Sequence, residues 1–345
     1  MKPSLLRVLR SPVDGTPLRL DGREPEPETE IEEGELVDSS GTRFPIVSGV
    51  PFFAEAESHD ETFNFKWRTI GDTYGHEDVS RATRQQWYLD RFGYGDRATL
   101  HRALADRSLI LDAGTGSGVD SAMFAESGRT VVSADLSREA ALAAYRQLGA
   151  LPNVNVIQAD LRRLPFAAGT FDYVSSDQVI HHTPNTRESF DALARLVAPG
   201  GAMAVYVYRR KGPLREFADD FIRSHTTAMS VEECFEFSKQ MTVLGKALTE
   251  VRATIDVPSI PLLELEEGEM DVQRFVYWHA FKCFWNDDYD FTTNAMVNFD
   301  WYHPKYAWRH DPDEVSAWYA ENGLALSRLD VVPSGISALG ARPAG

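Results

Sequence analysis

The stretch Leu109-Ile110-Leu111-Asp112-Ala113-Gly114-Thr115-Gly116-Ser117-Gly118 decides the fold of this chain. Its first three residues are aliphatic, which is typical of a parallel strand that is covered on both faces. The glycines at every second position let the backbone pass close to a ligand, because no side chain stands in the way. A helical pattern begins at Val119. We therefore expect a ligand at the carboxyl end of this strand, near the amino end of a helix.

Three more predicted strands follow, and each ends in an acidic residue. They end at Asp135, Asp160 and Asp177. Asp135 comes about 20 residues after the glycines, where a carboxylate can accept hydrogen bonds from both hydroxyls of a ribose. Asp135 and Asp160 could instead be polar residues that begin turns. A dehydrogenase would supply the first two strands, but the third and fourth are not expected of one.

Together these segments resemble the class I S-adenosylmethionine-dependent methyltransferases. The matching text is LDAGTGSG, SADLS, QADLRRLPF, FDYVSSDQVIHHT and LVAPGGAMAVYVY. The resemblance implies an α/β fold with a Rossmann-like, doubly wound sheet of seven strands, and S-adenosyl-L-methionine as cofactor. In it Asp135 would hold the ribose hydroxyls and Asp160 would face the adenine amine. The residues implied to contact the cofactor are Asp112, Gly114, Gly116, Gly118, Asp135, Leu136, Asp160, Leu161 and Asp177.

We divide the chain into five parts: a small β-rich module at 1–55, a helical segment covering the cofactor site at 56–108, the first part of the core at 109–208, a helical cap insertion at 209–299, and the last part of the core at 300–345. The insertion is too long to be a loop without structure of its own. We expect it to cover the carboxyl edge of the sheet, where a substrate enters, or to form a dimer contact. Its helical patterns cover 213–224, 230–253 and 271–284, and the last two strands are expected at 324–332 and 335–340.

The first module resembles the small zinc-ribbon proteins that partner or precede methyltransferases, but its cysteines are missing. Ser11 and Asp14 stand where the first two thiolates would be, and the strip at 39–41 has no cysteine either. A structural zinc ion needs four nitrogen or sulfur ligands, so we predict no metal here. The stretch 23–35 carries seven Glu and two Pro, which favours a solvated loop.

Composition narrows the possible partners. The chain has 345 residues, 43% of them hydrophobic, and a formal net charge of −17. A nucleic-acid enzyme needs a basic face, so the charge argues against a nucleic acid and against an anionic membrane surface. The two cysteines, Cys234 and Cys283, give no disulfide scaffold. No apolar leader or long apolar run is present, so we expect a cytoplasmic protein. A homodimer is possible.

Two regions offer a general base. His181 and His182 follow the fourth strand, and His titrates near neutral pH. We slightly favour His181, although such a doublet also serves packing and hydrogen bonding. Asp300 and His303 are the candidates in a later aromatic run. Candidates to contact the substrate are Trp67, Tyr74, Tyr302, Tyr306 and Trp308, with ordinary core packing as the alternative. A metal site built from His279, His303 and His310 is conceivable, but nothing in the spacing requires it.

The resulting hypothesis is S-adenosylmethionine-dependent methyl transfer to a small molecule in secondary metabolism. We expect O-methylation before N- or C-methylation, because the candidate bases suit a hydroxyl nucleophile. The cap, the acidic charge and the aromatic run favour a bulky acceptor that is not strongly anionic. Two alternatives remain at this point: a cofactor-binding fold repurposed for non-methylating chemistry, and an activator or binding subunit of a macromolecular methyltransferase system.

Overall fold

The computed structural model describes residues 1–22, 29–54, 61–74 and 78–344. Part of the acidic stretch at 23–35 and the expected boundary at residue 55 therefore lie outside the described residues. The N-terminal module begins with a short 3-10 helix, Pro3–Arg7. A four-stranded antiparallel sheet follows: β1 (Arg19–Leu20), β2 (Gly34–Val37), β3 (Arg43–Val47) and β4 (Val50–Pro51). The module is β-rich, as predicted.

A hydrogen-bond network occupies the place where the resemblance would put a metal. The Ser11 hydroxyl donates to a carboxylate oxygen of Asp38 at 2.8 Å, and the backbone N–H of Asp14 donates to the Ser11 hydroxyl at 3.3 Å. The other oxygen of Asp38 accepts from the backbone N–H groups of Ser40 and Thr42 at 2.9 and 2.8 Å. Within the described part of the chain, no three His, Cys, Asp or Glu residues lie together as a metal site would require. Hydrogen bonds therefore join the two turns of this module.

Three helices lead from the module to the central sheet: α1 (Glu61–Ile70), α2 (Asp78–Arg91) and α3 (Arg97–Ala103). The side chain of Asp96 caps α3 by accepting a hydrogen bond from the backbone N–H of Thr99. The module itself contacts the edge of the central sheet, because Phe52 forms a parallel bridge with Gln158. The chain thus reaches its first central strand with both preceding segments packed against the sheet.

The central sheet has seven strands. Five are parallel: β5 (Leu109–Ala113), β6 (Thr130–Asp135), β7 (Val154–Gln158), β8 (Phe171–Asp177) and β9 (Val197–Tyr208). The helices between them are α4 (Val119–Ala125), α5 (Arg138–Leu148) and α6 (Thr186–Arg195). The predicted break at residues 199–201 lies inside β9, where the pairing with β8 is irregular.

The cap lies between β9 and the last part of the core. It contains α7 (Pro213–Thr226), α8 (Val231–Glu250), β10 (Thr254–Val257), β11 (Gly268–Asp271), α9 (Val272–His279) and α10 (Phe291–Tyr302). The hairpin of β10 and β11 was not predicted. Helix α9 ends at His279, before the predicted residue 284, and the backbone N–H groups of Lys282 and Phe284 bond to the side chains of Asp219 and Asn298. Helix α10 runs through the expected boundary at 299/300.

The chain ends with α11 (Pro312–Glu321), β12 (Ala325–Val331) and β13 (Gly335–Ala341). Strand β13 pairs antiparallel with both β9 and β12, which gives the order β12-β13-β9-β8-β5-β6-β7. This confirms the predicted seven-stranded, doubly wound sheet. The carboxyl ends of β5 to β9 meet at one edge, because these strands are parallel. No described helix has the length and apolar character needed to cross a membrane.

Candidate active site

A cavity of about 500 Å³ opens at the carboxyl edge of the central sheet. The strand ends form its floor, α1 and α2 form one wall, and the cap forms the roof. The structure brings eleven of the predicted residues to this cavity: Trp67, Tyr74, Gly114, Gly116, Asp135, Leu136, Asp160, Leu161, Asp177, His182 and Asp300. The expected position of a ligand site therefore agrees with the fold.

Two glycines of the β5–α4 loop are required by their surroundings. Gly114 and Gly116 have positive φ angles of 90° and 56°. A Cβ atom on Gly116 would lie 2.5 Å from the Trp67 ring, and one on Gly114 would lie 2.3 Å from the Val179 side chain. Gly118 has a different role, because it contacts helix α5 through Leu148 and does not line the cavity. The first two glycines thus let bare backbone face the cavity.

Asp135 ends β6 and presents its carboxylate to the cavity. One oxygen accepts a hydrogen bond from the backbone N–H of Gly116 and the other from that of Ser137, both at 2.9 Å. Each oxygen retains a lone pair for another donor. Burial raises the pKa of Asp135 to about 6, although the two N–H groups act in the opposite direction. The carboxylate is therefore mostly ionised at neutral pH and suited to accept hydroxyl groups.

Asp112 does not face the cavity, in contrast to the expected contact with the cofactor. Its carboxylate accepts hydrogen bonds from the hydroxyls of Thr115 and Ser121, at 2.8 and 2.6 Å. These bonds hold the glycine loop to α4. Asp160 does line the cavity, but its carboxylate is paired with the guanidinium of Arg162 at 2.6 Å. A ligand donor at Asp160 would share this carboxylate with Arg162.

Two arginines that were not singled out from the sequence lie at the cavity. Arg91 donates from one nitrogen to both oxygens of Asp177, at 3.0 and 2.7 Å. Arg84 lies 3.7 Å from Asp177 and 3.8 Å from Asp120. Burial raises the pKa of Asp120 to about 7, with Asp177 and Asp112 acting in the same direction against Arg84. The only sequence signal for Arg84 and Arg91 is their spacing, which places both on one face of α2.

Of the histidine doublet, His182 lines the cavity and His181 does not. The His181 ring is fully buried 3.7 Å from the Tyr208 ring, and neither of its nitrogens has a hydrogen-bond partner in the described structure. Burial lowers the pKa of His181 well below its usual value. The preference for His181 as the base is therefore corrected in favour of His182, because His181 is packed behind the cavity wall.

His182 has a defined tautomer. Its Nδ1 lies 2.8 Å from the carbonyl oxygen of Tyr306. A carbonyl can only accept, so Nδ1 carries the hydrogen and Nε2 keeps a free lone pair. Burial lowers the pKa of His182 to about 4, with Asp300 opposing the shift. The ring is consequently neutral at pH 7 and able to accept a proton at Nε2.

Asp300 lies on α10 and faces the same cavity. Its Oδ2 accepts a hydrogen bond from the Lys66 ammonium at 2.9 Å, while Oδ1 has no partner among the described residues. Burial acts to raise the pKa of Asp300, but the positive charge of Lys66 is the largest of the influences that outweigh it, so the pKa lies below its usual value. A carboxylate held ionised in this way can accept a hydrogen bond or a proton.

The other residues predicted in the late aromatic run lie away from the cavity. Helix α10 continues to Tyr302 and turns that side chain into the cap, where its hydroxyl donates to the carbonyl of Lys282 at 2.6 Å. The His303 ring bonds to the Thr62 hydroxyl at 2.7 Å. Trp308 is partly exposed, and its indole lies over Tyr306 on the outer surface. These four residues hold the cap and the loop in place.

Comparisons with known proteins agree with this geometry. The model of a family described as a methyltransferase domain matches residues 111–205. The demethylmenaquinone methyltransferase of Clavibacter sepedonicus is 34% identical over 28% of this chain and 39% of its own length. The ubiquinone/menaquinone biosynthesis C-methyltransferase of Haemophilus ducreyi is 32% identical over 44% of this chain and 65% of its own length. The chain thus spans less than two thirds of these relatives.

Among solved structures, the magnesium protoporphyrin IX methyltransferase of Synechocystis PCC 6803 with bound SAM is similar to this chain. The similarity covers 84% of this chain and 99% of that protein's chain. Its sequence identity is 15% and its TM-score 0.44. The family match is the more informative comparison, because residues 111–205 contain the glycine loop and the ends of β6, β7 and β8.

Proposed function

We propose that this chain, which contains a class I S-adenosylmethionine-dependent methyltransferase domain, transfers a methyl group from S-adenosylmethionine to the hydroxyl of a small acceptor. One observation carries the proposal: a single cavity is lined by the glycine loop and Asp135 and also by the two deprotonated groups His182 and Asp300. A cofactor pocket joined to a pair of proton acceptors suits transfer to a hydroxyl.

The residues at the strand ends fit the cofactor of this family. S-adenosylmethionine has no phosphate groups, and no Lys or Arg lies in the loop from Gly114 to Gly118. Asp135 would accept hydrogen bonds from the ribose hydroxyls, and the backbone of the glycine loop would border the methionine part. Leu136 and Leu161 line the cavity and would provide apolar contact for the adenine ring, and Asp160 would face its amine.

When bound, S-adenosylmethionine supplies a sulfonium methyl group that is open to in-line attack. The chain contributes positioning and proton transfer. His182 Nε2 would receive the proton as the O–H bond of the acceptor breaks and its oxygen takes the methyl carbon, while the electrons of the carbon–sulfur bond stay on sulfur and S-adenosylhomocysteine leaves. Asp300 accepts a hydrogen bond from the same hydroxyl and stabilises the imidazolium ion that results. Trp67 lies over Gly116 and helps to exclude water from the cavity.

The acceptor is proposed to be an aromatic molecule. The acceptor end of the cavity is lined by the rings of Tyr208, Tyr277, Trp278, Phe284 and Trp301, and flat rings stack on one another favourably. The names of the two relatives also point to quinone-type rings as acceptors in those proteins. A ring that bears a hydroxyl group would stack on these aromatic side chains and present its O–H group to the two bases.

The test uses the full chain, S-adenosylmethionine with a labelled methyl group, and fractionated extract of the host. We expect formation of S-adenosylhomocysteine and of one labelled product, with the label on oxygen by mass spectrometry and NMR. An Asp135→Asn variant should lose most of this labelling, and the exposed Asp106→Asn variant should keep it. Binding of S-adenosylhomocysteine without any transfer would instead support the repurposed fold, and a label on carbon would overturn the hydroxyl assignment.

A further inference from the structure

Two buried lysines at the cap end of the cavity lack a carboxylate partner. Lys211 is 9% exposed and Lys282 is 6% exposed, and both line the cavity. The Lys211 ammonium donates to the backbone carbonyls of Pro333 and Ser334 at 2.6 and 2.8 Å. The Lys282 ammonium has no hydrogen-bond or ion-pair partner in the described part of the chain, and lies 5.2 Å from the centre of the Trp301 ring.

The carboxylates that act on these lysines already have cations of their own. They form three pairs: Asp219 with Arg215, Glu216 with Arg309 at 2.8 Å, and Asp300 with Lys66 at 2.9 Å. Lys211 and Lys282 are therefore an excess of positive charge inside a chain whose net charge is −17. A buried cation without a counter-ion is costly, so a site of this kind favours an anionic ligand.

The electrostatics of the two lysines agree with this interpretation. Burial lowers the pKa of Lys282 to about 7, against the attraction of Asp300. Burial also lowers the pKa of Lys211 well below its usual value, and the positive charges of Arg215 and Lys282 act in the same direction. An anion placed between the lysines would raise both pKa values. Its binding near pH 7.5 should therefore be accompanied by proton uptake.

Aromatic rings surround the lysines. The Lys211 ammonium lies 5.8 Å from the centre of the Trp278 ring, and the Arg215 guanidinium lies 5.4 Å from the Trp301 ring that also faces Lys282. A ligand at this end of the cavity would therefore have a flat apolar body next to a charged group. Trp301 directly follows Asp300 in α10, so this end adjoins the proposed proton acceptors.

We propose that the acceptor is an aromatic molecule that carries an oxyanionic substituent, a carboxylate or a phosphate, bound by Lys211 and Lys282 beneath the cap. The inference rests on the proposed methyl transfer, whose acceptor it specifies. It replaces the expectation of an acceptor that is not strongly anionic, which followed from net charge alone. Net charge is a sum over the whole chain and does not report the local charge in the cavity, where these two lysines lie.

The test measures binding to the full chain saturated with S-adenosylhomocysteine, with benzoate, phenyl phosphate and the neutral benzamide as probes. We expect at least one of the two anions to bind at least tenfold more tightly than benzamide, and the better anion tells a carboxylate site from a phosphate site. Calorimetry in two buffers of different ionisation enthalpy should show proton uptake with that anion. Lys211→Met and Lys282→Met should each weaken anion binding at least tenfold and leave benzamide binding unchanged.

Lys239 is half-buried and lies outside the cavity, so Lys239→Met is the matched control and should bind like the wild type. If either lysine variant fails to fold, the comparison of the anions with benzamide on the wild type still decides. Anions that bind no better than benzamide, or equally well to both lysine variants, would overturn the inference. Failure of methyl transfer appears separately, as absence of a labelled product from extract, and a labelled product that is neutral would refute this inference alone.

Discussion

The Lys66 ammonium and the Asp300 carboxylate are joined by a hydrogen bond of 2.9 Å that connects α1 to α10. Both residues line the cavity, so the pair fixes the N-terminal segment to the cap at the place where an acceptor would react. The positive charge of Lys66 is also the main influence that keeps the pKa of Asp300 low against its burial. The same ion pair therefore holds α1 against the cap and keeps Asp300, a proposed proton acceptor, ionised.

We predict that Lys66→Met moves the acid limb of the kcat/KM profile to higher pH. Without the ammonium, burial raises the pKa of Asp300, so a higher pH is needed to keep this carboxylate ionised. The profile is measured with the acceptor found in extract. Lys246→Met, which removes a half-buried lysine that pairs with Glu250 outside the cavity, should leave the limb in place. An unchanged limb in Lys66→Met would contradict a role for ionised Asp300.

A second prediction concerns cofactor affinity and pH. The pKa of Asp135 is about 6, so its carboxyl group is protonated below that value and ionised above it. Hydroxyl donors bind the ionised form better. Affinity for S-adenosylhomocysteine should therefore rise with pH through about 6, as measured by calorimetry. Asp135→Asn should cost about 1–3 kcal/mol at pH 8 and flatten the dependence around pH 6.

The control is Asp106→Asn, which changes an exposed carboxylate. It should retain both the affinity and the pH dependence of the wild type. If Asp135→Asn bound as tightly as this control at pH 8, the ribose would have to lie elsewhere in the cavity. If its affinity kept the wild-type slope near pH 6, another group such as Asp120 would be responsible.

The sequence was sufficient to predict the floor of the site. Aliphatic strands that lead to Asp135, Asp160 and Asp177 follow from local pattern, because parallel strands place their carboxyl ends at one edge whatever the rest of the chain does. The third strand, β7, ends at Gln158, two residues earlier than predicted. The glycine loop is similarly local, since Gly114 and Gly116 are required by their own backbone angles and immediate neighbours.

The walls could not be predicted in this way. Lys66, Arg84 and Lys282 reach the cavity because α1, α2 and the cap pack over it, and helical spacing alone does not say which face turns inward. Asp300 and Tyr302 show the same limit. They point to different environments because α10 begins at Phe291, after the cap residue Asp290, and its phase sets both directions. The helical patterns predicted for the insertion stop at 284, so α10 was not predicted and the directions of Asp300 and Tyr302 could not be assigned.

The histidine doublet gives a third prediction, because its two members should respond oppositely to substitution. His182→Gln should lower kcat by about 10²–10⁴ if Nε2 is the base, with little change in melting temperature. His181→Leu should keep or raise the melting temperature at pH 7.5, because it removes two buried nitrogens without partners, each costing about 1–3 kcal/mol. A folded His181→Leu protein that loses all activity would contradict this division.

Acidification should increase the difference in stability between His181→Leu and the wild type. The pKa values of both histidines are lower in the folded chain than the usual 6.5, so the unfolded state binds more protons and stability falls as pH drops below 6.5. For His182 the loss extends down to about pH 4. Melting curves at pH 7.5 and 5.5 should therefore show a smaller loss in His181→Leu than in the wild type. An equal or larger loss would exclude His181 as a source of the acid sensitivity.

The last prediction concerns the N-terminal module, where a hydrogen bond joins Ser11 to Asp38. Asp38 is buried, and although burial opposes ionisation, the hydrogen bonds from Ser40, Ser11 and Thr42 lower its pKa to about 2. A carboxyl group whose pKa is lowered on folding stabilises the fold at pH values above its usual pKa. This stabilisation is lost as the pH falls toward 2. Asp38→Asn and Ser11→Ala should each lower the melting temperature at pH 7, and the effect of Asp38→Asn should disappear near pH 2. Chelator should leave the wild-type melting temperature unchanged, whereas a fall on adding chelator, restored by zinc, would mean that this module binds a metal after all.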